Sequence, residues 1–420
     1  MKKDKLKQLV LEQNKKYLLK DEIKRAVFDN ILKKHKQPFV VIISGIRRCG
    51  KSTLIKQIRN EKNGYYLNFD DDRLVNFAIE DFQNLYEILI ELYGDKEIFY
   101  FDEIQNILGW ERFVRRLHDQ GKKVYITGSN ASMLSKELGT HLTGRNIEIN
   151  LFPFSFSEYL NFEEIGWDKD SVYKTPERAK LKKYFKKYLI EGGLPEYLFT
   201  KNKEYLKSLY ENVLYRDIIV RYKLGGEKAI KELVYLAANN IAKEISFNSI
   251  KKLLRMGSPT TVKEYFGYLE NSFLMFLVPR YNYSLKKQIN SNKKLYLIDN
   301  ALAINLGFSF SENSGKLLEN LVFIELKRRN KEIFYFQEKG ECNFILREKN
   351  KIQNSIQVCY ELTKQNKERE LNGLIEAMNE FKLKEGLILT YDDEDEFKID
   401  GKKIKVIPVW KWLLSNTESS

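Results

Sequence analysis

The sequence predicts an α/β fold: a parallel sheet, then a largely helical stretch, then a second α/β part. Three observations carry that prediction. Short apolar runs alternate with helical segments from Phe39 to Leu151, as in parallel sheets whose strands are covered on both faces. The chain has 420 residues, too many for one ordinary domain. A segment with paired glycines, Gly45–Ser52, lies directly between the first apolar run and an apparent helix, the position of a phosphate-binding loop.

Taken in order, residues 1–36 read as a basic amphipathic helix with Leu9, Leu11, Tyr17, Leu18, Ile23, Val27 and Ile31 as a broken apolar stripe. The expected strands are Phe39–Ser44, Tyr65–Phe69, Ile98–Phe101, Val124–Thr127 and Ile147–Leu151. Pro153 to Leu224 reads as mostly helical, interrupted at Gly192, Gly193 and Pro195, and Gly225–Gly226 punctuates the chain. Helical segments follow at Lys228–Ile241, Ser246–Met256 and Thr260–Asn271. Two extended stretches come next, Phe273–Tyr283 and Lys293–Ile298, joined by Ser284–Asn292. A last unit has a helix around Lys316–Arg329 and strands at Ile333–Phe336, Cys342–Leu346, Ser355–Leu362 and Gly386–Thr390. The expected divisions are 1–36, 37–152, 153–225, 226–300 and 301–420.

Composition narrows the class. Apolar residues make up 43% of the chain, with 25 Tyr and 26 Phe, so buried cores are expected, and 7 Pro argue against long disordered linkers. The longest apolar runs, Phe39–Ile43 and Phe273–Val278, fall far short of the roughly 20 residues that span a bilayer. The charged N-terminus has no signal-peptide pattern, so a soluble cytoplasmic protein without membrane contact is expected. Cys49, Cys342 and Cys359 have neither metal-ligand spacing nor an even count, which fits a reducing compartment. A helix N-terminus lowers a thiol pKa, so Cys49 is read either as a redox switch or as a small residue that fits the loop. The net charge of +14 suits a polyanion partner, and equally the Lys- and Glu-rich surface favoured at high temperature.

The chemistry concentrates in three places. Gly45, Ile46, Arg47, Arg48, Cys49, Gly50, Lys51 and Ser52 match GxxxxGK[ST], and Thr53 opens the following helix. Glycines let backbone N–H groups wrap phosphates, and the helix N-terminus adds partial positive charge. Lys51 is expected to reach the β- and γ-phosphates of ATP, and the Ser52 hydroxyl to ligate Mg²⁺. About fifty residues later, the apolar strand Ile98–Phe101 runs into Asp102 and Glu103. Asp102 suits the Mg²⁺ shell, and Glu103 suits polarisation of the attacking water. Thr127, Ser129 and Asn130 end the next strand, where a polar side chain is placed to orient that water. Arg145, just before the last strand of the sheet, suits stabilisation of transition-state charge on a neighbouring subunit's nucleotide.

Together these segments resemble the AAA+ superfamily, and more closely the archaeal and bacterial ATP-binding family of the DUF4143 type, whose ATPase core precedes a domain of unknown function. The resemblance rests on Tyr66–Asp72 (YLNFDDD), Phe101–Gln105 (FDEIQ), Ile126–Asn130 (ITGSN), Thr143–Arg145 (TGR), Leu151–Glu158 (LFPFSFSE) and Glu191–Pro195 (EGGLP). It implies a P-loop AAA+-like sheet with a helical lid, a winged helix-turn-helix and an α/β restriction-endonuclease-like domain. It also implies that Asn130 is a sensor, that Arg145 is an arginine finger between subunits of a homo-oligomer, and that Gly193-Leu194-Pro195 contacts the nucleotide.

Three helices followed by a two-stranded ribbon is the order of a winged helix-turn-helix. Met256-Gly257-Ser258-Pro259 separates two short helices, and Pro259 suits the first turn of the second. That helix would present Thr260, Thr261, Lys263, Glu264 and Tyr268 to double-stranded DNA. The ribbon carries Arg280, Lys286, Lys287, Lys293 and Lys294 with Tyr281 and Tyr283, a set suited to phosphates; protein binding is the alternative use.

For the last unit, the resemblance implies a nuclease site with a helical Glu, a strand acid and an E-x-K on the next strand. Glu319 and Glu325 are present, but Asn343 stands at the acid and Gln357-Val-Cys359 at E-x-K. Amides are poor Mg²⁺ ligands and a thiol supplies no fixed positive charge, so inactivity is expected unless Glu361, on the same strand face by alternation, serves instead. The sequence therefore points to a Mg²⁺-dependent ATPase coupled to DNA. The alternatives are an ATP-controlled signalling or assembly switch and, least favoured, a Mg²⁺-dependent nuclease.

Overall fold

The computed structural model describes residues 1–15, 22–130, 144–307 and 310–415, without the side chains of 310–313. The chain divides into two compact units, Met1–Leu151 and Phe152–Ser420.

The first unit is a five-stranded sheet of β1 (Val40–Ser44), β2 (Tyr65–Asn68), β3 (Ile98–Asp102), β4 (Lys123–Gly128) and β5 (Asn146–Asn150). The strand order is β2-β3-β4-β1-β5 and every pairing is parallel. β1 and β3 are buried at every position, which is why they read as continuous apolar runs rather than as alternating ones. Helices α1 (Lys3–Gln13), α2 (Phe28–Lys33), α3 (Lys51–Glu61), α4 (Asp81–Tyr93) and α5 (Trp110–Asp119) complete the unit. In α5 the buried residues Trp110, Phe113, Val114 and Leu117 fall at helical spacing, one apolar stripe facing the sheet. Phe69, Phe82, Phe101 and Phe113 interlock there in tilted, edge and stacked pairs.

The N-terminal reading needs correction. Two separate helices, α1 and α2, stand where one was expected; Leu11 is exposed, and Tyr17 and Leu18 lie outside the described residues. Leu6, Leu9 and Val10 of α1 join the core of the sheet. The helix stops because the next side chains have other partners. Asn14 donates to the Tyr66 carbonyl at 2.8 Å and accepts from the Tyr66 N–H at 3.2 Å. Gln13 accepts from the Asn68 N–H at 2.7 Å and donates to its carbonyl at 3.2 Å. β2 is an edge strand, and these two amides satisfy backbone groups that would otherwise offer a pairing edge.

The second unit begins with helices between Phe156 and Asn212 and a π-helix at Val213–Val220. Helices Glu227–Ala238, Phe247–Leu253 and Pro259–Asn271 then accompany β6 (Glu244–Ile245), β7 (Met275–Pro279) and β8 (Lys293–Leu297). These strands form an antiparallel sheet in the order β6-β8-β7. Helices Asn300–Asn305 and Phe310–Arg328 lead into β9 (Glu332–Gln337), β10 (Glu341–Glu348), β11 (Lys351–Val358), β12 (Glu385–Thr390), β13 (Asp395–Ile399) and β14 (Lys402–Pro408). Their order is β13-β14-β12-β11-β10-β9, and helix Lys367–Glu380 covers one face through Leu371, Leu374, Ala377 and Met378.

Three further expectations change here. The segment joining the extended stretches contains a helix, Leu285–Asn290. β11 ends at Val358, so Glu361 is not on that strand and the alternation argument for it fails. The β13–β14 hairpin was not anticipated, although Asp400-Gly401 between the strands, both at positive φ (51° and 75°), is the residue pair that two-residue hairpin turns prefer.

Candidate nucleotide site

β1 delivers the chain to Gly45, and the loop then closes onto α3. A Cβ at Gly45 would lie 2.2 Å from the Leu151 carbonyl oxygen, so only glycine fits where the loop crosses the end of β5. Gly50, at φ 98°, is the residue that starts α3, a left-handed geometry suited to glycine. Ile46 and Cys49 are buried, and Arg48 is exposed at φ 66°. Arg47 approaches Asp70 at 3.8 Å. The Cys49 thiol donates to the Leu151 carbonyl at 3.4 Å, and burial pushes its pKa up. Cys49 is therefore the small residue that fits, and the activated-thiol reading falls away because desolvation outweighs the nearby cations. Arg25, which sequence reasoning missed, braces the loop by donating to the Cys49 carbonyl at 2.8 Å from a buried position. No motif marks it; its basic neighbours hide it.

Lys51 is 4% exposed on its side chain and donates to the carbonyls of Gly45 and Ile46 at 3.0 and 3.1 Å; its ammonium lies 3.7 Å from Glu103. Ser52 and Thr53 follow in the first turn of α3, whose N-terminal N–H groups face the loop. β4 lies between β1 and β3, so it is the strand that couples the loop to the acids. Thr127 at its end donates to Asp102 and accepts from the Glu103 N–H at 3.1 Å. Tyr66 on β2 donates to the other Asp102 oxygen at 3.0 Å. Both oxygens of this buried carboxylate are thus oriented by hydroxyls from the two flanking strands. Thr127, one of the three residues read as candidates to orient water, bonds Asp102 and the Glu103 N–H. Glu103 sits at φ 52°, an uncommon conformation for a non-glycine residue, and Gln105 donates to its carboxylate. Ser129 and Asn130 follow β4 and are buried.

Arg145 occupies the other end of the sheet. Its neighbour Asn146 pairs with Val40, whereas the loop leaves beyond Ser44, which pairs with Asn150. At strand rise this places Arg145 about 16 Å from its own loop. The side chain is half exposed and bonded to Asp119 at 2.9 Å; Thr143 of the same motif lies outside the described residues.

Gly193 and Pro195 belong to the second unit. The Gly193 N–H donates to Asp299 at 2.7 Å and its carbonyl accepts from the Phe154 N–H at 2.7 Å, while Pro195 opens the helix Pro195–Thr200. In the motif Leu151–Glu158, Ser155 and Glu158 form a reciprocal helix cap.

The residues predicted for DNA separate into two groups. Thr260, Lys263, Lys286 and Lys287 are exposed, and Thr261 is half-buried beside Ser258, which caps the helix from Pro259. The expected basic ribbon is not intact. Arg280 is bonded to Gln337 and Glu338 of the neighbouring sheet, and Lys293 donates to carbonyls at the end of helix Leu285–Asn290. Lys294 is buried between Glu319 and Glu341. Tyr268 stacks on Tyr222 with ring centroids 3.9 Å apart.

The chain is 38% identical over 398 residues to the uncharacterized protein MJ1544 of Methanocaldococcus jannaschii, covering 90% of this chain and 88% of that protein. This chain belongs to the MJ1544 family. An uncharacterized protein of Haemophilus influenzae is similar over 90% of this chain and 94% of its own length, at 31% identity. Residues 37–160 match a family model described as an AAA domain, and residues 182–313 match one described as a domain of unknown function, DUF8612. Among solved structures, the Walker-type ATPase of Pyrococcus abyssi aligns with 68% of this chain and 96% of that one at 17% identity, TM-score 0.46. The family-model match makes residues 37–160 of this MJ1544-family chain an AAA domain, and the loop Gly45–Ser52 lies within it. No helix among the described residues is long and apolar enough to cross a membrane.

Proposed function

We propose that the chain hydrolyses ATP with Mg²⁺ and uses the nucleotide cycle to control engagement of double-stranded DNA by its second unit. The observation that carries hydrolysis is the fixing of Asp102 and Glu103 beside the loop: Thr127 touches both acids, Tyr66 holds the first, and Lys51 faces the second. A site that only bound phosphate would not require a carboxylate oriented at both oxygens. The donor set fits a hard cation: the Ser52 hydroxyl and the Asp102 carboxylate are oxygen ligands, and Mg²⁺ held there would neutralise charge developing on the β- and γ-phosphates. In this reading Lys51 binds the phosphates, Glu103 polarises water, Asn130 orients it, and Arg145 serves the nucleotide of a second copy. The 16 Å separation within one chain supports the last role, since an arginine at that end of the sheet is usable only by a neighbour. Gly193 and Pro195 are assigned to the nucleotide on the motif alone.

We further divide the chain into an N-terminal segment (1–36), a nucleotide core (37–152), a helical lid (153–225), a winged helix (226–300) and a catalytically inactive nuclease-like domain (301–420). Three helices with a β6-β8-β7 antiparallel sheet support the winged-helix assignment. The exposed face of Thr260 and Lys263, with Lys286 and Lys287, is the surface assigned to DNA. A second reading, an ATP-controlled switch acting on protein partners, is favoured by the internal pairing of Arg280 and Lys294, which thins the basic ribbon.

The test is direct. Purified protein should turn over ATP, and Lys51→Ala or Asp102→Ala should abolish it; equal turnover by both variants would overturn the assignment. Titration with duplex DNA at several salt concentrations separates the two readings. A steep salt slope supports DNA, and absence of binding at low salt supports protein partners.

A further inference from the structure

The second unit buries a polar cluster that the nucleotide reading does not use. Lys294 of β8 has a side chain 1% exposed, and its ammonium meets a Glu319 oxygen at 3.0 Å and a Glu341 oxygen at 2.5 Å. Glu319 comes from helix Phe310–Arg328 and Glu341 from β10, so one cation ties together three elements. Tyr296, also on β8, donates to the same Glu319 oxygen at 2.7 Å.

The adjoining amides are matched to carboxylates rather than left over from them. Asn343 donates from Nδ2 to Glu341 at 3.3 Å while its Oδ1 accepts from the Val358 N–H at 2.7 Å. Gln357 accepts from the Asn343 N–H at 3.0 Å and donates from Nε2 to the buried Glu370. Each amide uses both its donor and its acceptor end. An acid at either position would set carboxylate against carboxylate.

We propose that the ammonium of Lys294 permanently fills a cation site formed by Glu319 and Glu341, and that removing it opens that site to a hard divalent ion such as Ca²⁺ or Mn²⁺. Two carboxylate oxygens converge on one point at 3.0 and 2.5 Å, within about half an ångström of the Ca²⁺–oxygen distance. Glu341 is 40% exposed on its side chain, which gives an ion a route from solvent. In the native chain the internal cation makes this region a bracket between the β6-β8-β7 sheet and the six-stranded sheet, with no place for a catalytic metal.

The experiment uses the full chain without nucleotide, read by thermal unfolding and by Mn²⁺ binding in electron paramagnetic resonance. The wild type should bind no Mn²⁺ at this site and keep its unfolding midpoint in millimolar Ca²⁺. Lys294→Met should unfold about 6 °C lower or more, because it strands a buried carboxylate. Ca²⁺ or Mn²⁺ should restore the midpoint saturably. Lys294→Met combined with Glu319→Gln should recover stability without added ion and lose the ion response. If Lys294→Met folds only in the presence of Ca²⁺, that too supports the site. A Lys294→Met protein indifferent to both ions, a wild type that responds equally, or failure of both variants to fold with or without Ca²⁺ would overturn it.

Discussion

Tyr66→Phe isolates one hydroxyl of the nucleotide site without changing its packing. Tyr66 is 5% exposed, and its hydroxyl donates at 3.0 Å to an Asp102 carboxylate that is itself 1% exposed. A hydrogen bond to a charged, buried acceptor contributes about 1.5–3 kcal/mol. The phenylalanine ring fills the same space, so the loss falls on the orientation of Asp102 and on the folded state that contains it. If Asp102 helps hold Mg²⁺, the concentration of Mg²⁺ that half-saturates ATP turnover should rise about 10- to 150-fold. The denaturation free energy of the chain should fall by an amount of the same order. Thr127→Val should do more, because that hydroxyl both donates to Asp102 and accepts from the Glu103 N–H, so two polar groups lose a partner. The assay is steady-state ATP hydrolysis across a Mg²⁺ titration, with urea unfolding on the same preparations. A Tyr66→Phe protein with unaltered Mg²⁺ dependence and an unaltered unfolding curve would refute the role given to this hydroxyl.

Further outcomes follow from the same geometry. Glu103→Gln should retain nucleotide and slow turnover by about 100-fold or more, measured by filter binding and single-turnover hydrolysis; weakened binding would argue against its role as base. Arg145→Ala should lower turnover, and mixing it with Lys51→Ala should recover part of it, since each variant lacks a different half of a shared site; no recovery counts against action between copies. The Asp299 carboxyl, fully buried, is pushed up to about 6 by desolvation that outweighs its backbone N–H donors. Its folded pKa exceeds the unfolded 3.8, so folding takes up a proton and this group's contribution to stability grows as pH falls through 6. Between pH 7 and 5 the gain is about 1 kcal/mol, to be read from urea unfolding and absent in Asp299→Asn.

Local pattern was enough for the first unit's frame. The phosphate loop is contiguous, its strands are buried on both faces and so read as unbroken apolar runs, and Asp102 and Glu103 end one of them. The N-terminal segment reads as one helix because a broken apolar stripe continues across it, whereas Gln13 and Asn14 take partners on the free edge of β2 that strand order fixes. That order is invisible to periodicity. It also placed β4 between loop and acids, brought Tyr66 and Thr127 onto Asp102, and put Arg145 at the far end of the sheet from its own loop. The β13–β14 hairpin is legible in Asp400-Gly401, the residue pair that two-residue hairpin turns prefer. Charge misled most in the second unit. Arg280, Lys293 and Lys294 look like a solvent-facing basic ribbon in the chain, yet Glu319, Glu338 and Glu341 stand 25, 58 and 47 residues from the cations they meet. The sequence by itself determined which groups are present and that a phosphate-loop motif lies between the first strand and its helix. Only the tertiary structure decided which charges face solvent, because a cation's availability depends on carboxylates that folding brings to it from distant parts of the chain.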